Sequence, residues 1–161
     1  MQLEDIIKIL ENKLDKTSFL TIDEQSSPTA LIVPDTDLRS VCQVLFEDSK
    51  LYFDMLSCIS GIDNGVEANT FEVAYNLYSI PFDFQLMLKV ILDRENAKID
   101  TISDIWKTAN WHERETYDLF GITFEGHPDL RRILLPADWE GYPLRKDYKH
   151  QEYYRGIKVE Y

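Results

Sequence analysis

Leu3, Ile6, Ile7, Leu10 and Leu14 recur every three to four positions with charged residues between them, which predicts an amphipathic helix at the start of the chain. A second stripe, Leu38, Val41, Cys42, Leu45 and Phe46, matches the helical template at every position, with Pro34 and the pair Asp35 and Thr36 as its opening and cap. Between the two, Phe19 to Ile22 and Thr29 to Val33 predict short strands around the polar turn DEQSSP. Another strand, around Tyr52 to Ser60, is predicted to stop at SGIDNG. The period then becomes two. Phe71, Val73, Tyr75 and Leu77 alternate in one run, Phe82, Phe84, Leu86, Leu88 and Val90 in the next, and the two are joined at Pro81, which predicts antiparallel neighbours. Ser103 is the expected cap of a short helix over SDIWKTAN. Trp111 to Phe120 predicts a further helix stopped by Gly121, a residue suited to the left-handed position past a helix end.

Two helices on one face of a mainly antiparallel sheet make a two-layer α+β domain, expected over residues 1–135. Beyond Pro136 no period persists. The last 25 residues nevertheless carry six aromatics (Trp139, Tyr142, Tyr148, Tyr153, Tyr154, Tyr161) and five charges of each sign, whereas disordered tails are poor in aromatics. Residues 136–161 are therefore expected to form an extended irregular arm that lies either on its own domain or on a partner. Tyr, Trp and Arg on such a segment favour the partner.

A chain of 161 residues buries about 70% of the surface its unfolded form exposes, so a single packed core is expected. The longest apolar run, FQLMLKVIL, is interrupted by Lys89 and is too short for a membrane helix. The amino-terminal MQLEDIIKILENK lacks the layout of a secretion signal, so a cytoplasmic location is expected. Cys42 and Cys58 have no spacing that holds zinc or an iron-sulfur cluster; as a pair they could form a disulfide, but in a cytosolic protein two apolar-flanked cysteines are more often reduced core residues. The formal charge is −12, and residues 1–112 hold nine Lys or Arg against nineteen Asp or Glu. That balance repels nucleic acid.

The densest chemistry lies in ERETYDLFGITFEGHPDLRRIL, Glu113 to Leu134. Nucleophilic catalysis has no support there, because neither G-x-S-x-G nor a reactive-cysteine context accompanies His112 or His127. A metal-dependent hydrolase would use His112, Glu115, Asp118 and His127, but on a helix Arg114 sits in the same arc and competes for the carboxylates. The remaining reading is an ion-pair network, Arg114 with Asp118 and Arg131 or Arg132 folded back onto Glu115, with Gly126 and Pro128 setting a turn and Asp129 capping the next. Exposed pairs of this kind contribute only about 0–1 kcal/mol each, so a cluster this dense gains its value where an interface or the arm buries it.

Asn110 to Tyr148, NWHERETYDLFGITFEGHPDLRRILLPADWEGYPLRKDY, resembles the diagnostic stretch of the 30 kDa subunit family of respiratory complex I, the bacterial NADH-quinone oxidoreductases included. The ordered motifs E-R-E-x-Y-D, F-G-I, G-H-P-D-L-R-R and P-L-R-K-D-Y carry the resemblance, and FEVAYNLYSI and SGID extend it. It implies a peripheral-arm subunit without a redox centre of its own, with iron-sulfur clusters and FMN in partner subunits. The implied partners are the 49 kDa subunit, which forms much of the quinone cavity, and neighbouring iron-sulfur subunits. The implied location is peripheral, at the cytoplasmic face of the bacterial inner membrane. Membrane-bound hydrogenases and related quinone reductases use similar subunits, so the electron donor stays open. Carried over by position, the partner-binding residues are Arg114, Glu115, Asp118, His127, Asp129, Arg131, Arg132, Arg145, Lys146 and Asp147.

Overall fold

The computed structural model describes residues 2–159, so Tyr161 of the expected arm lies outside the described residues. Its centre is a mixed five-stranded sheet in the order β1-β2-β5-β4-β3, formed by Thr21–Asp23 (β1), Ala30–Ile32 (β2), Met55–Asp63 (β3), Thr70–Ser79 (β4) and Phe84–Asp93 (β5). Every pairing is antiparallel except β2 with β5, which run parallel with Ala30 opposite Met87. The period-two pattern holds for Phe71, Val73, Tyr75 and Leu77 on β4 and for Leu86, Leu88 and Val90 on β5, all buried, whereas Phe82 lies exposed in the turn before β5 and Phe84, its first residue, is half-buried.

Three helices, Leu3–Leu14 (α1), Leu38–Glu47 (α2) and Ala109–Phe120 (α3), deliver their apolar stripes to one face of that sheet. Ile6 and Leu10 of α1, Val41, Cys42 and Leu45 of α2, and Phe120 of α3 join the strand residues in one continuous core. On the opposite face Ala30, Ala74 and Met87 form a small buried cluster. Two parallel strands, Lys98–Asp100 (β6) and Thr123–Glu125 (β7), bracket α3 and fix both its ends to the body. Neither strand is foreshadowed by the hydrophobic pattern, because each is only three residues long.

Three local expectations are corrected. SGID does not stop the third strand; it lies within β3, where a Cβ on Gly61 would come 2.7 Å from the Phe120 ring and 3.0 Å from Thr116. Glycine is there for the close approach of α3, not for a turn. SDIWKTAN forms turns, with the amides of Ile105 and Trp106 both donating to the Ile102 carbonyl. Ser103 hydrogen-bonds Thr101 rather than capping a helix, and the Trp106 indole is buried in the core, donating to the Phe53 carbonyl at 3.0 Å. Finally, Asp35–Asp37 makes one 3-10 turn before α2 begins at Leu38, so Asp35 and Thr36 stand before the helix rather than at its cap.

Candidate docking surface around the third helix

The stripe Ala109, Glu113, Thr116 and Phe120 faces the core, which places a carboxylate in an apolar wall. Glu113 is fully buried, and its Oε1 accepts the Ile102 amide at 2.8 Å while its Oε2 accepts the Thr101 hydroxyl. Burial pushes its pKa from 4.5 up to about 7, against the pull of the Thr101 and Ile102 donors and with the Asp104 charge adding to the rise. His127 lies beside it, Nε2 at 3.8 Å from the Glu113 carboxyl. Its Nδ1 accepts the Asp129 amide, so Nε2 carries the proton toward the Asn110 carbonyl at 3.1 Å. Glu113 and His127 thus tie the loops after β6 and β7 to α3.

Asp118 makes the second tie. Its Oδ2 accepts three consecutive amides, Ile133, Leu134 and Leu135, at 2.7–2.9 Å, and its Oδ1 accepts the Arg132 guanidinium at 2.8 Å. Burial would raise this carboxyl, but the Leu135 amide, the Arg132 guanidinium and the other two amides outweigh it and hold the pKa below 3.8. Arg132 also donates to the carbonyls of Asp118, Trp139 and Gly141, fastening the following loop. The expected pairing of Arg114 with Asp118 is therefore replaced. Arg114 instead donates to the carbonyls of Arg131 and Arg132, stacks over Trp111 and approaches Asp129 at 3.9 Å. Arg131 pairs with Asp129, not with Glu115, and Asp129 offers Oδ2 to Arg131 instead of capping a turn.

A third tie joins the PLRKDY segment to the sheet. Asp63, at the end of β3, accepts the Lys146 amide at 2.7 Å, the Gly65 amide at 2.8 Å and the Arg94 guanidinium, which also pairs with Asp147. The two N–H donors and Arg94 overcome burial and keep Asp63 below its ordinary value. Arg145 donates to the Phe120 carbonyl and lies over the rings of Phe71 and Tyr142, its centre 5.0 and 4.7 Å from their centroids. Burial, with Arg94 close by, lowers its pKa from the usual guanidinium value. Trp139 donates to the Tyr148 hydroxyl and packs on Tyr154, so aromatics of the arm pack on one another.

The ten sequence-predicted residues fall into two groups. Asp118, Arg132, Arg145, His127, Arg114 and, through its amide, Lys146 are spent holding residues 126–148 against α3 and the sheet end. Glu115, Asp129, Arg131 and Asp147 present exposed charge, and Trp111, Leu134 and Leu144 lie exposed around them. His112, Glu115, Asp118 and His127 do not converge. Asp118 is filled by N–H donors, and among the described residues no group of three His, Cys, Asp or Glu side chains is placed to hold a metal. Glu113, Asp63 and Arg94 escaped the sequence reading. The helical stripe that includes Glu113 and the alternation that puts Asp63 on the core face of β3 were the available signals.

The arrangement is a two-layer domain whose charged α3 is clasped by an ordered arm. The family model described as "Respiratory-chain NADH dehydrogenase, 30 Kd subunit" matches residues 31–154, and the chain belongs to that family. An NADH-quinone oxidoreductase subunit from Chloroherpeton thalassium is 53% identical over 124 residues, 76% of this chain and 51% of that protein. The corresponding subunit from Chlorobium phaeobacteroides is 48% identical over 131 residues, 80% of this chain and 78% of that one. The chain thus spans about half the length of the first relative. Among solved structures, the trypsin-resistant fragment (1-134) of Nqo5 superposes with a TM-score of 0.62 at 28% identity, covering 81% of this chain and 100% of the fragment. A chain of a membrane-bound sulfane sulfur reductase, an archaeal respiratory membrane complex, shares the fold with a TM-score of 0.72 at 24% identity over 91% of this chain and 85% of that one. Among the described residues no helix is long and apolar enough to cross a membrane.

Proposed function

We propose that this chain is a non-redox scaffolding subunit of the peripheral arm of a proton-translocating NADH:quinone oxidoreductase. It docks on the 49 kDa quinone-site subunit and neighbouring iron-sulfur subunits, at the cytoplasmic face of the membrane, while FMN and iron-sulfur clusters reside in those partners. The observation that carries the reading is the division of labour around α3: buried ion pairs fix the arm, and the charges and aromatics left over face outward. Large exposed apolar side chains rimmed by charge are the composition of interface anchors. Arg131, whose side chain is 74% exposed and, among the described residues, paired with the exposed Asp129 rather than with a buried group, is a charge available to a neighbour. Arg131→Ala is expected to loosen the peripheral arm and lower NADH:quinone activity of the assembled enzyme without changing the stability of the isolated chain by more than about 0.5 kcal/mol. Normal assembly and turnover in that variant would contradict the reading. A second reading, the equivalent subunit of another membrane-bound respiratory enzyme, draws on the fold shared with the sulfane sulfur reductase chain. Assay of the intact complex with NADH against other electron donors separates the two.

A further inference from the structure

The two edges of the sheet differ. β1 is an edge of three residues, whereas β3 is an edge of nine, and from Met55 to Ile62 it contains no charge and no proline. Long uncharged edges without lysine or proline are avoided where nothing covers them, because their free N–H and C=O groups recruit another strand. The direction of those groups follows from the ladder. The Asn64 amide donates to the Thr70 carbonyl, and the register pairs Ile62 with Glu72 and Ser60 with Ala74, so these are the hydrogen-bonded pairs of β3 with β4. On the other side of β4 the Arg94 amide donates to the Asn69 carbonyl, which assigns Phe71, Val73 and Tyr75 to β5. Ile59 and Gly61 therefore direct their backbone N–H and C=O outward, and neither has a hydrogen-bond partner there among the described residues.

The two ends of this free stretch are occupied. Thr108 donates to the outward carbonyl of Leu56 at 3.3 Å, and the Lys146 amide sits on the Asp63 side chain. Between them runs a groove whose floor is Ile59 and Gly61 and whose far wall is His112, Glu115 and Leu119 of α3, with Leu144 of the arm at its end. Glu115 is exposed and, among the described residues, has neither an ion pair nor a side-chain hydrogen bond.

We infer that an extended segment of a partner subunit adds to β3 as a sixth strand, its backbone hydrogen-bonded to Ile59 and Gly61. One of its apolar side chains lies between Leu119 and Leu144, and a Lys or Arg meets Glu115. Alternation along the added strand sends every second side chain toward α3, which is how strand addition acquires specificity beyond its main-chain bonds. A second copy of this chain is the poorer occupant, since each copy brings a charge of −12 to the pairing. A basic strand is the complement. This inference rests on the scaffold reading above.

Two variants test it within the complex purified from membranes. Ser60 is exposed on the open sheet face and Glu115 is exposed on α3, so Ser60→Lys and Glu115→Lys leave the fold intact. Each is expected to lower retention of the chain in the complex by at least about 10-fold at raised salt, and unchanged retention in both would overturn the inference. Cryo-electron microscopy of the wild-type complex is expected to show a neighbouring subunit's backbone beside Ile59 and Gly61. A complex that contains the chain with this edge bare overturns the strand and leaves the scaffold standing. A complex that lacks the chain overturns both. A homodimer of the isolated chain abolished by Ser60→Lys would assign the edge to a second copy and reject the partner strand.

Discussion

The sheet with its helices and the clasping segment from Leu130 to Tyr148, which spans the end of the expected domain and the first part of the expected arm, are held by different forces. In the body, strands and helices share one apolar core in which Phe53, Phe71, Tyr75 and Phe124 are the largest fully buried side chains. There the stabilisation is spread over many contacts, about 1.5–3 kcal/mol for each large apolar side chain. The arm buries few apolar groups: Leu134 and Leu144 are 61% and 52% exposed. It is fixed by Asp118 and Asp63, whose oxygens collect backbone amides that no helix or sheet ladder would satisfy. A segment with no regular structure is thereby given a defined path. The cost is concentration, because two carboxylates, with Arg132 and Arg145 donating to backbone carbonyls, hold what many apolar contacts hold elsewhere.

The sharpest way to break that contrast is Asp118→Ala. It leaves three amides and the Arg132 guanidinium without their common acceptor, and an expected loss of about 3–5 kcal/mol follows from uncovering a buried charge. Chemical denaturation measures the loss, and trypsin is expected to cleave sooner at Arg131 and Arg132 while β4 and β5 stay intact. Next in size is the pH dependence set by Glu113, the buried acid of the body. Its folded pKa of about 7 against an ordinary 4.5 means that the folded chain holds a proton the unfolded chain releases between those values. Stability is therefore expected to fall by roughly 3 kcal/mol as pH rises through that window and to level off above it. Glu113→Gln flattens the slope in denaturation curves taken across the window. Asp118 and Asp63 act in the opposite sense: their contribution is present above about pH 4 and is lost as pH falls through their depressed values. Acid thus releases the arm, whereas rising pH weakens the body. The smallest effect is Gly61→Ala, where the new methyl meets the Phe120 ring; overpacking of this kind costs about 1–3 kcal/mol in the same denaturation experiment.

Elements whose pattern is sustained were legible in the sequence. The α2 stripe from Leu38 to Leu45 and the alternation of Phe71 to Leu77 each repeat often enough to fix their buried face, and Gly121, with φ of 75°, ends α3 where a left-handed residue was expected. SDIWKTAN was misread because Trp106 is drawn into the core and bonded to Phe53, a contact 53 residues distant that no local propensity encodes. Of the charged motif, the presence of a buried ionic cluster was legible, but its pairing was not. Spacing along α3 suggests Arg114 for Asp118, yet the arm folds back and supplies Arg132 together with three amides, and backbone donors leave no mark in a sequence. Glu113 is one of several charges in that stretch. Only its place in line with Ala109, Thr116 and Phe120 distinguishes it.

Residue-resolved amide hydrogen exchange on the isolated chain tests most directly whether the carboxylates of Asp118 and Asp63 fix the backbone of the arm. The amides of Ile133, Leu134, Leu135 and Lys146, each bonded to one of those side chains, are expected to exchange at least about 100-fold more slowly than free amides, and Asp118→Ala is expected to release the first three together. Exchange of these four amides at the unprotected rate in the wild-type chain would contradict it.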